Sequence, residues 1–489
     1  MICASLAPRD AREAVELLQR ARADGADLAE LRVDLMPPGA DVAALIASRP
    51  LPVIVTVRPE WEGGGFTGPE DRRIMTLQSA AQAGAEYIDL EFKAYKDLPD
   101  QPARVIVSYH DFRGIPRDLD SLLRKMELLK PAIVKLAATP RTTAEVLELA
   151  RRARGREALR CVIGMGEWGE PLRILFGRLG GAMTYATLEA GRATAAGQLT
   201  VRELRELYRA HEIDEDWKVF AVVGHPVSQS RGPAIWNHAF RRLGERAVYV
   251  RFPVDDPSQL RELIDVFGVR GLSVTVPHKQ AVLDRLDDID PAADRIGAVN
   301  TIVVGDGGRL RGHNTDAPGA AMALRAACRR KFKSETLQGR KALIFGAGGT
   351  ARAILHALIE GGADAIVANR DWDRASDLAQ EMGARAVPME GVRDIVSPDL
   401  IINATSVGME PDVDTSVVPP SLLSRDLVCL DAVYTPPRTR FLRDAAAAGA
   451  ETVSGVEMFL GQAAAQFELF LGRPLPEEVL HEWRTLVTY

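Results

Sequence analysis

The chain has 489 residues, of which 46% are hydrophobic and 26% are charged. This length predicts two or three domains, and this composition is typical of a globular protein. The formal net charge of −6 gives no basic field for nucleic acid, and no apolar run reaches the ~20 residues of a membrane-spanning helix.

The segment Met1–Asp10 has neither the basic and apolar regions of a signal peptide nor the Arg/Ser-rich character of a transit peptide. Four cysteines are scattered without the C-x-x-C spacing of a metal site: Cys3, Cys161, Cys328 and Cys429. They are typical of reduced thiols. We therefore expect a cytoplasmic protein with small-molecule ligands and without a metal ion, nucleic acid or membrane as a partner.

The first 210 residues alternate apolar β-type runs with amphipathic helical segments. The predicted strands are Ile2–Ser5, Leu28–Asp34, Val53–Val57, Tyr87–Glu91, Val105–Ser108, Ile133–Leu136, Cys161–Ile163 and Ala182–Tyr185. The helical segments include Arg9–Arg22, Glu70–Ala83, Leu119–Leu129, Thr142–Arg152 and Glu170–Leu179. Eight β/α units in ~200 residues predict a (β/α)8 barrel, with an open doubly wound sheet as the alternative.

Polar side chains gather where these strands end, which is where barrel enzymes place their chemistry. The strand ends carry Glu30, Arg32, Asp34, Arg58, Glu62, Asp89, Glu91, His110, Lys135 and Met165. Lys135 lies inside an apolar strand, either as an ion-paired structural lysine or as an imine-forming amine whose pKa is lowered by an apolar or cationic setting. His110, one strand earlier, is a candidate general acid–base. Arg32, Arg58 and Arg173 could clamp a carboxylate.

A polar stretch at 211–216 ends the barrel, and a new strand follows at Val219–Val223. The sequence predicts an α/β chain of three domains. They are a barrel over 1–213, a substrate-binding lobe over 214–318 completed by helical residues 455–489, and a Rossmann domain over 319–454. The helical end is expected to pack back on the lobe.

The Rossmann prediction rests on a strand, a glycine turn and a helix start in that order. Gly346, Gly348 and Ala351 follow the strand Leu343–Phe345 with the spacing G-x-G-x-x-A. This pattern lets a pyrophosphate approach the backbone at a helix N-terminus. The alternative is a plain glycine-rich turn.

Further polar residues end the segments of the lobe, among them Thr275, Lys279, Asn300 and Asp316. Each of these residues alone could be an ordinary polar side chain at the protein surface. Together they supply an ammonium, a carboxylate and an amide, the set needed to move a proton at a carbinol while hydride leaves for nicotinamide.

The motifs ELRVDL, TVRPEWEGG, SYHDF, VKLA and GMGEWGEPLRIL resemble type I 3-dehydroquinate dehydratase over residues 1–210. The resemblance implies that Lys135 forms a Schiff base with the C3 ketone of 3-dehydroquinate. It implies that His110 takes the C2 proton and protonates the departing C1 hydroxyl. Glu62 matches the carboxylate that pairs with the histidine, and Arg173 matches the residue that grips the substrate carboxylate. The other substrate-binding positions are Glu30, Arg32, Arg58, Gln198 and Thr194, the last standing where the family usually has Ser.

The motifs AVVGHPVSQSRGP, SVTVPHK, AVNT, GHNTDAPG, GAGGTARAI, NATSVGM, DAVYTPPRT and GVEMFLGQAA resemble shikimate dehydrogenase over residues 217–489. The resemblance implies that Lys279 and Asp316 form a catalytic dyad. The implied substrate-binding residues are Ser228, Ser230, Thr275, Asn300, Tyr434 and Gln462. With the glycine motif, the implied cofactor-binding residues are Gly346, Ala347, Gly348, Gly349, Thr350, Ala351, Asn369, Arg370, Arg374, Asn403, Thr405, Met409 and Gly455.

One departure from the shikimate dehydrogenase pattern concerns the substrate. Ser230 holds the first place of the family's S-x-S pair and is favoured over Ser228, but Gly232 takes the second place. The lost hydroxyl predicts shikimate as the main substrate with measurable quinate oxidation.

A second departure concerns the cofactor. Arg370 and Arg374 follow the second Rossmann strand, whose end carries no acid, and two guanidinium groups favour the 2′-phosphate of NADP. Asp371 stands where the NADP form usually has Thr, so we expect reduced discrimination, with NAD possible. Alternatively, Asp371 simply caps the next helix.

The two halves fit one pathway, because the dehydratase product is the dehydrogenase substrate. The sequence therefore predicts a bifunctional lyase and NADP-dependent oxidoreductase of the shikimate pathway. Three alternatives stay open: a quinate or dual quinate/shikimate dehydrogenase in the second half, a Schiff-base aldolase in the first, and a non-catalytic regulatory protein.

Overall fold

The computed structural model describes residues 1–97, 103–155, 157–394 and 397–488. The chain divides into two compact units, Met1–Val269 and Arg270–Tyr489. Within the described ranges, no helix is long and apolar enough to cross a membrane. The same ranges contain no group of three or more His, Cys, Asp or Glu side chains that could hold a metal ion.

The first unit begins with a parallel sheet of eight strands. They are β1 (Ile2–Leu6), β2 (Leu28–Arg32), β3 (Val53–Thr56), β4 (Tyr87–Glu91), β5 (Arg104–Asp111), β6 (Ile133–Ala138), β7 (Leu159–Gly164) and β8 (Thr184–Ala186). Their order is β7-β6-β5-β4-β3-β2-β1-β8, and the amide of Ala182, just before β8, donates to the Arg160 carbonyl of β7 at 2.7 Å. A doubly wound sheet reverses its strand order, whereas this order curls into a nearly closed barrel. The predicted barrel is confirmed, and the open-sheet alternative is wrong.

Helices connect the barrel strands. They are α1 (Ala11–Ala23), α2 (Val42–Ala47), α3 (Glu70–Gln82), α4 (Leu119–Glu127), α5 (Thr143–Ala150) and α6 (Glu170–Ile174). α6 is shorter than the predicted segment Glu170–Leu179. Its end residue Leu175 leaves the helical region at φ −92° and ψ 16°, and three glycines follow within six residues, which a helix disfavours.

The barrel interior changes from apolar to polar along the strands. Ile133 of β6 lies in a buried apolar layer, together with Cys3, Leu28, Ile54, Ile106 and Cys161. Side chains two residues apart on a strand point the same way. Lys135 therefore follows Ile133 on the inner face, one layer nearer the carboxyl ends of the strands.

The first unit continues with β9 (Lys218–Gly224), α7 (Gly232–Arg242), β10 (Ala247–Pro253) and α8 (Leu260–Phe267). β9 and β10 are parallel, with Val222 opposite Arg251. Polar contacts join this part to the barrel: Arg178 Nε donates to the Phe267 carbonyl at 2.7 Å, and Thr143 Oγ1 donates to Asp255 at 2.6 Å.

The second unit contains two groups of strands. The first group comprises β11 (Val269–Val274), β12 (Asp288–Ile289), α9 (Pro291–Ile296), β13 (Thr301–Val304), β14 (Leu310–His313) and α10 (Asp316–Phe332). The second comprises β15 (Lys341–Phe345), α11 (Gly349–Glu360), β16 (Asp364–Ala368), α12 (Trp372–Met382), β17 (Arg385–Val387), β18 (Leu400–Asn403), β19 (Val428–Asp431), α13 (Arg440–Ala447) and β20 (Glu451–Val453). The second group forms a parallel sheet of order β17-β16-β15-β18-β19-β20. Its order reverses between β15 and β18, which is where a Rossmann sheet binds its dinucleotide.

The chain ends with α14 (Gly455–Leu471) and α15 (Glu477–Thr488). α14 packs against α10 and β13, and Gln466 Nε2 donates to Thr301 Oγ1 at 2.8 Å. The helical end therefore contacts the predicted lobe through β13, as expected, but it also packs on α10, most of which lies in the predicted Rossmann domain.

Candidate active sites

One cavity at the carboxyl ends of the barrel strands collects every residue that the sequence assigns to the first site. These residues are Glu30, Arg32, Arg58, Glu62, His110, Lys135, Arg173, Thr194 and Gln198. Phe112, Met165 and Tyr185 also line the cavity, although the sequence assigned them no role.

Lys135 lies between two carboxylates rather than in a cationic setting. Its Nζ is 2.9 Å from Asp89 Oδ2, 3.3 Å from Glu30 Oε1 and 4.0 Å from the ring centre of Tyr185. Burial opposes the charge on Lys135, but Asp89 and Glu30 outweigh it and raise its pKa. The expectation of a lowered pKa is wrong, because β4, which is two strands away from β6 in the sheet, supplies Asp89. The resting side chain is an ammonium that must lose a proton before it can attack a ketone.

Asp89 is a site residue to which sequence reasoning gave no role. Its Oδ1 is 3.0 Å from Arg58 Nη2 and accepts a hydrogen bond from Ser108 Oγ at 2.6 Å. Burial opposes its ionisation, but Arg58 and Lys135 hold its pKa well below the usual range. Arg58 also binds Glu91 at 2.6 Å. The signal was the pair of acids two residues apart at the end of β4, which alternation places on one inner face.

His110 and Glu62 form a pair at the rim of the cavity. The His110 backbone amide donates to Glu62 Oε1 at 2.8 Å, and His110 Nδ1 lies 3.4 Å from the same oxygen. Burial, followed by the charges of Arg58 and Lys135, lowers the pKa of His110 well below 6.5. The imidazole is therefore neutral at pH 7 and able to accept a proton. Burial raises the pKa of Glu62 to about 7.

We expect Glu62→Gln to stabilise the protein more at about pH 8.5 than at about pH 5.5. The carboxyl ionises near pH 4.5 in the unfolded chain but only near pH 7 in the folded protein. The free energy of unfolding therefore falls as the pH rises between these values and stays lowered above them. This shift of about 2.5 pKa units corresponds to about 3 kcal/mol. Thermal unfolding at the two pH values measures the effect.

Glu60→Gln is the control for this experiment, because Glu60 lies two residues away and is exposed. Its unfolding temperature should differ from wild type by the same small amount at both pH values. A Glu62→Gln effect that does not change with pH would contradict the assignment.

Arg173 is a buried cation without an acid partner among the described residues. Its Nη1 and Nη2 donate to the carbonyls of Tyr185 and Ala196 at 3.2 and 3.4 Å, and its Nε has no hydrogen-bond partner there. Burial lowers its pKa to about 10. By contrast, Arg32 and Arg58 are ion-paired in the same cavity, Arg32 with Asp34 at 2.7 Å. Arg173 is thus the pocket arginine with charge left for an anion.

The last barrel loop places Thr194 and Gln198 at the cavity. Thr194 Oγ1 donates to Ser5 Oγ at 2.9 Å, and Gln198 Oε1 accepts from the Thr194 amide at 2.9 Å. Ser5 in turn donates to Glu30 at 2.5 Å. A chain of hydrogen bonds therefore connects this loop to the carboxylate beside Lys135, and the threonine keeps its hydroxyl in that chain.

A second cluster lies in the second unit around Lys279 and Asp316. Lys279 Nζ donates to Asp316 Oδ2 at 2.5 Å and to Thr350 Oγ1 at 3.1 Å. Asn300 Nδ2 donates to Asp316 Oδ1 at 2.9 Å. Thr350 belongs to the glycine turn, so the lysine contacts both the carboxylate and the predicted nucleotide site. A Cβ on Gly349 would lie 3.0 Å from the Lys279 Cβ, which explains why a glycine stands there.

The structure brings Gln462 to this cluster, since Gln462 Oε1 lies 3.4 Å from Asn300 Nδ2. Thr275 lies just after β11, and its carbonyl accepts from the His278 amide at 3.0 Å. Tyr434 stacks on Phe459 with ring centres 4.8 Å apart. Ser228 and Ser230 lie in the first unit, in the loop between β9 and α7.

The glycine turn has the geometry that a dinucleotide requires. Gly346 has a φ of +120°, and a Cβ there would lie 2.9 Å from the Ala404 carbonyl oxygen. Gly348 precedes α11, and a Cβ there would meet open space. Ala351 is fully buried in the Rossmann core. Ala347 and Thr350 complete the turn, and Gly455 begins α14.

The end of β16 carries the residues predicted to choose between NADP and NAD. Asp371 caps α12, since its carboxylate accepts from the Arg374 amide at 3.2 Å. Asn369 Nδ2 donates to the Asp371 carbonyl at 3.1 Å. Arg370 and Arg374 are exposed, and neither has an ion pair among the described residues. The helix-capping interpretation of Asp371 is therefore correct.

Asn403 and Thr405 lie on the other side of the reversal point of the Rossmann sheet. Asn403 Oδ1 accepts from Thr405 Oγ1 at 2.7 Å, and its Nδ2 donates to Asp431 at 2.9 Å. Burial raises the pKa of Asp431 to about 6. Met409 is 40% exposed, beyond this network. The network fixes the loop after β18, and sequence reasoning missed Asp431.

The comparisons with known proteins divide the chain in the same way. The family model of type I 3-dehydroquinase matches residues 2–215, and that of the shikimate dehydrogenase substrate binding domain matches 222–302. The models of shikimate/quinate 5-dehydrogenase and of the shikimate 5′-dehydrogenase C-terminal domain match 327–419 and 455–482.

Relatives cover both the whole chain and its second half. The chloroplastic bifunctional 3-dehydroquinate dehydratase/shikimate dehydrogenase of Arabidopsis thaliana is 35% identical over 100% of this chain and 84% of its own. Shikimate dehydrogenase (NADP(+)) of Methanopyrus kandleri is 42% identical over 55% of this chain and 96% of its own. A crystal structure of shikimate dehydrogenase in complex with NADP+ is 34% identical over 56% of this chain and 96% of its own, with a TM-score of 0.51.

Fold and matches together define a two-part α/β enzyme in which a lyase precedes an oxidoreductase. The chain belongs to the family of bifunctional 3-dehydroquinate dehydratase/shikimate dehydrogenases. The predicted family and its two enzyme activities are confirmed, and the aldolase and regulatory alternatives are not supported.

Proposed function

We propose that the barrel dehydrates 3-dehydroquinate to 3-dehydroshikimate through Lys135, and that the second part reduces 3-dehydroshikimate to shikimate with NADPH. The observation that carries the proposal is that one cavity holds the buried amine of Lys135 and the buried guanidinium of Arg173, which has no acid partner among the described residues. A substrate carboxylate would supply the negative charge that pairs with Arg173. This ion pair would position the substrate ketone beside the amine of Lys135.

Lys135 attacks the C3 ketone after it has lost a proton, and water leaves to form an iminium. The iminium is a better electron sink than the ketone, so the C2 proton becomes more acidic. Neutral His110 takes that proton and returns it to the C1 hydroxyl, which departs as a second water. Hydrolysis of the iminium consumes one water and frees the enone, so the net loss is one water. Glu62 orients the imidazole from the side of Nδ1.

In the second reaction, Lys279 and Asp316 hold the proton that reaches the substrate oxygen. Lys279 Nζ already donates a hydrogen bond to Asp316, and its ammonium can donate in the same way to the substrate oxygen as negative charge develops there. Asn300 fixes the other oxygen of Asp316. The nicotinamide cofactor supplies the hydride.

NADP is the cofactor, as in the relatives named for it. The residues present fit this group. The open space beside Gly348 would leave room for the pyrophosphate, and the free N–H groups at the start of α11 would bind its oxygens. Arg370 and Arg374 carry unpaired charge for the 2′-phosphate.

Feeding 3-dehydroquinate to the purified protein tests the proposal. Without cofactor, 3-dehydroshikimate should accumulate, and with NADPH it should be replaced by shikimate. Accumulation that NADPH does not change would contradict the second activity, and no reaction under either condition would contradict the first.

We expect NADP to be preferred over NAD, and Asp371→Thr to increase the preference. Threonine still caps α12, so the helix is kept while a negative charge beside the 2′-phosphate is removed. The kcat/KM values for both cofactors measure the effect. Arg374→Ala is the matched control and should lower kcat/KM for NADP without lowering it for NAD. A wild-type preference for NAD that Asp371→Thr reverses would show that Asp371 dominates.

A second candidate substrate, quinate, is favoured by the lack of a side-chain hydroxyl at Gly232. A Cβ there would lie 2.7 Å from Tyr249 Cε1, and Tyr249 is buried against Trp236 with ring centres 5.3 Å apart. The aromatic ring therefore excludes the serine that the family usually has at this position. We propose that the missing hydroxyl admits quinate beside shikimate.

We expect Gly232→Ser/Tyr249→Val to lower the quinate-to-shikimate ratio of kcat/KM by about tenfold relative to Tyr249→Val alone. Tyr249→Val removes the clashing ring in both variants, so the comparison isolates the hydroxyl. An unchanged ratio would contradict this role of Gly232.

We propose domain limits of 1–213 for the barrel, 214–318 with 455–489 for the lobe, and 319–454 for the Rossmann domain. The separate family matches at 2–215, 222–302 and 327–419 support them. A cytoplasmic location is supported by four cysteines that are free and buried.

A further inference from the structure

We propose that Arg251 positions the loop that carries Ser228 and Ser230, and that the barrel holds Arg251 in place through Glu170. The proposal rests on the proposed function, because Ser230 is the serine expected to bind the substrate carboxylate at the second site. The dehydratase barrel would then be part of what the dehydrogenase needs for substrate affinity.

Arg251 lies on β10, and its guanidinium bridges two parts of the first unit. Nε and Nη2 donate to the Ser230 carbonyl at 3.3 and 3.1 Å. Nη1 donates to Glu170 Oε1 of α6 at 3.1 Å, and the Tyr208 hydroxyl is 3.4 Å from both Glu170 Oε1 and Arg251 Nη1. The fork of an arginine can hold a carbonyl on one edge and a carboxylate on another, which no lysine can do.

The side chains of the Arg251–Glu170 ion pair are mostly buried. The side chains of Arg251 and Glu170 are 22% and 15% exposed. A partly buried guanidinium is costly to leave without its acid. Moving Ser230 would therefore break bonds that water replaces only in part.

The barrel contacts the same loop at a second point. The Trp168 ring lies 5.2 Å from the ring of His225, which is three residues before Ser228. Trp168 precedes α6 and Glu170 begins it. Two side chains of one barrel segment thus hold the loop near both of its serines.

This barrel segment also lines the first site. Met165 and Arg173 face the dehydratase cavity, while Trp168 and Glu170, between them in sequence, face the serine loop. Residues 165–174 therefore contact both a substrate pocket and a loop assigned to the other substrate. The barrel segment thus contacts the loop directly at His225 and, through Arg251, at Ser230, while most of the loop between them is exposed.

Steady-state kinetics of Arg251→Met and of the neutral pair Arg251→Met/Glu170→Gln test the proposal. Both should raise KM for shikimate about tenfold, as expected for the loss of one charge-assisted hydrogen bond. The kcat and the KM for NADP should stay near wild type, and Arg251→Met should leave dehydration unchanged. A purely structural role would instead lower kcat, or change both KM values together.

Arg151→Ala is the matched control, because Arg151 of α5 forms an ion pair with Glu262 of α8 without contacting the serine loop. Arg151→Ala removes another arginine–glutamate pair between the barrel and the segment from β9 to α8. This variant should leave KM for shikimate at the wild-type value. Arg251→Lys keeps a charge for Glu170 but lacks the fork, so it should raise KM by a smaller factor. If the neutral variants do not fold, the KM of Arg251→Lys for shikimate tests the proposal instead.

A KM for shikimate that stays at wild type in the folded variants would overturn the proposal. An equal rise in Arg151→Ala would also overturn it, because the effect would then belong to the barrel contact in general. A wild-type protein that does not reduce 3-dehydroshikimate would contradict the proposed function instead, so the two failures can be told apart.

Discussion

Lys135→Ala is expected to abolish dehydration of 3-dehydroquinate, with a loss of more than about 10⁴-fold in kcat. Without the amine no imine can form, and neutral His110 faces a ketone whose C2 proton is much less acidic. Borohydride added together with 3-dehydroquinate should attach one ligand to the wild-type protein and none to the variant. Mass spectrometry of peptides should place the ligand on Lys135.

Lys93 provides the control for this labelling. It is an exposed lysine near the cavity mouth, with its Nζ 5.5 Å from the ring centre of Trp61. Lys93→Ala should still be labelled and should still dehydrate the substrate. Labelling of Lys135→Ala, or dehydration by it at the wild-type rate, would show that the imine forms elsewhere. The reduction of supplied 3-dehydroshikimate by Lys135→Ala reports that the rest of the chain is folded.

The barrel and its cavity could be predicted because two local rules operate together. Alternating apolar runs identify the strands, and parallel strands end at one rim, so residues as distant as Glu30 and Lys135 were expected in one place. Gln198 was expected there only from the resemblance to the dehydratase family. The end of α6 was predicted too far along the chain, because the apolar residues up to Leu179 were given more weight than the intrinsic cost of the glycines that follow Leu175.

The electrostatics of the cavity could not be predicted from the sequence. A lysine in an apolar strand suggested a lowered pKa, but Asp89 contributes a carboxylate from β4, two strands away across the barrel sheet. Whether a buried charge meets a cation or an acid depends on the register of strands that lie far apart in the chain. That Arg173 has no acid partner among the described residues has the same origin, since it depends on which acids other arginines already bind.

In the second half, too, short motifs could be predicted from the sequence, whereas the contacts around them could not. The glycine turn and the Lys279–Asp316 pair follow from short motifs, and the structure brings them together through Thr350. By contrast, the reason for Gly232, at the start of α7, is the ring of Tyr249, which lies 17 residues later in the chain on β10. A departure from a family pattern can therefore be seen in the sequence. The side chain that fills the place of the usual residue can be identified only from the packing in the structure.

Lys279→Met is expected to lower kcat for reduction of 3-dehydroshikimate by about 10²- to 10⁴-fold and to leave dehydration unchanged. Methionine fills much of the same space but can neither donate a proton nor balance the charge of Asp316, which is 6% exposed. The loss should appear in kcat, because the ammonium acts on charge that develops in the transition state. Equal damage to both activities would mean that the substitution disturbs the whole chain.

Mixing the Lys279→Met and Lys135→Ala proteins provides the complementary measurement. Each variant lacks one reaction, so 3-dehydroquinate with NADPH should give no shikimate with either protein alone and should give it with the mixture. The intermediate must then leave one molecule and bind another, which predicts a lag that shortens as the protein concentration rises. Restored conversion shows that Lys135 and Lys279 serve separate reactions, whereas no shikimate from the mixture would show that the intermediate cannot pass through solution.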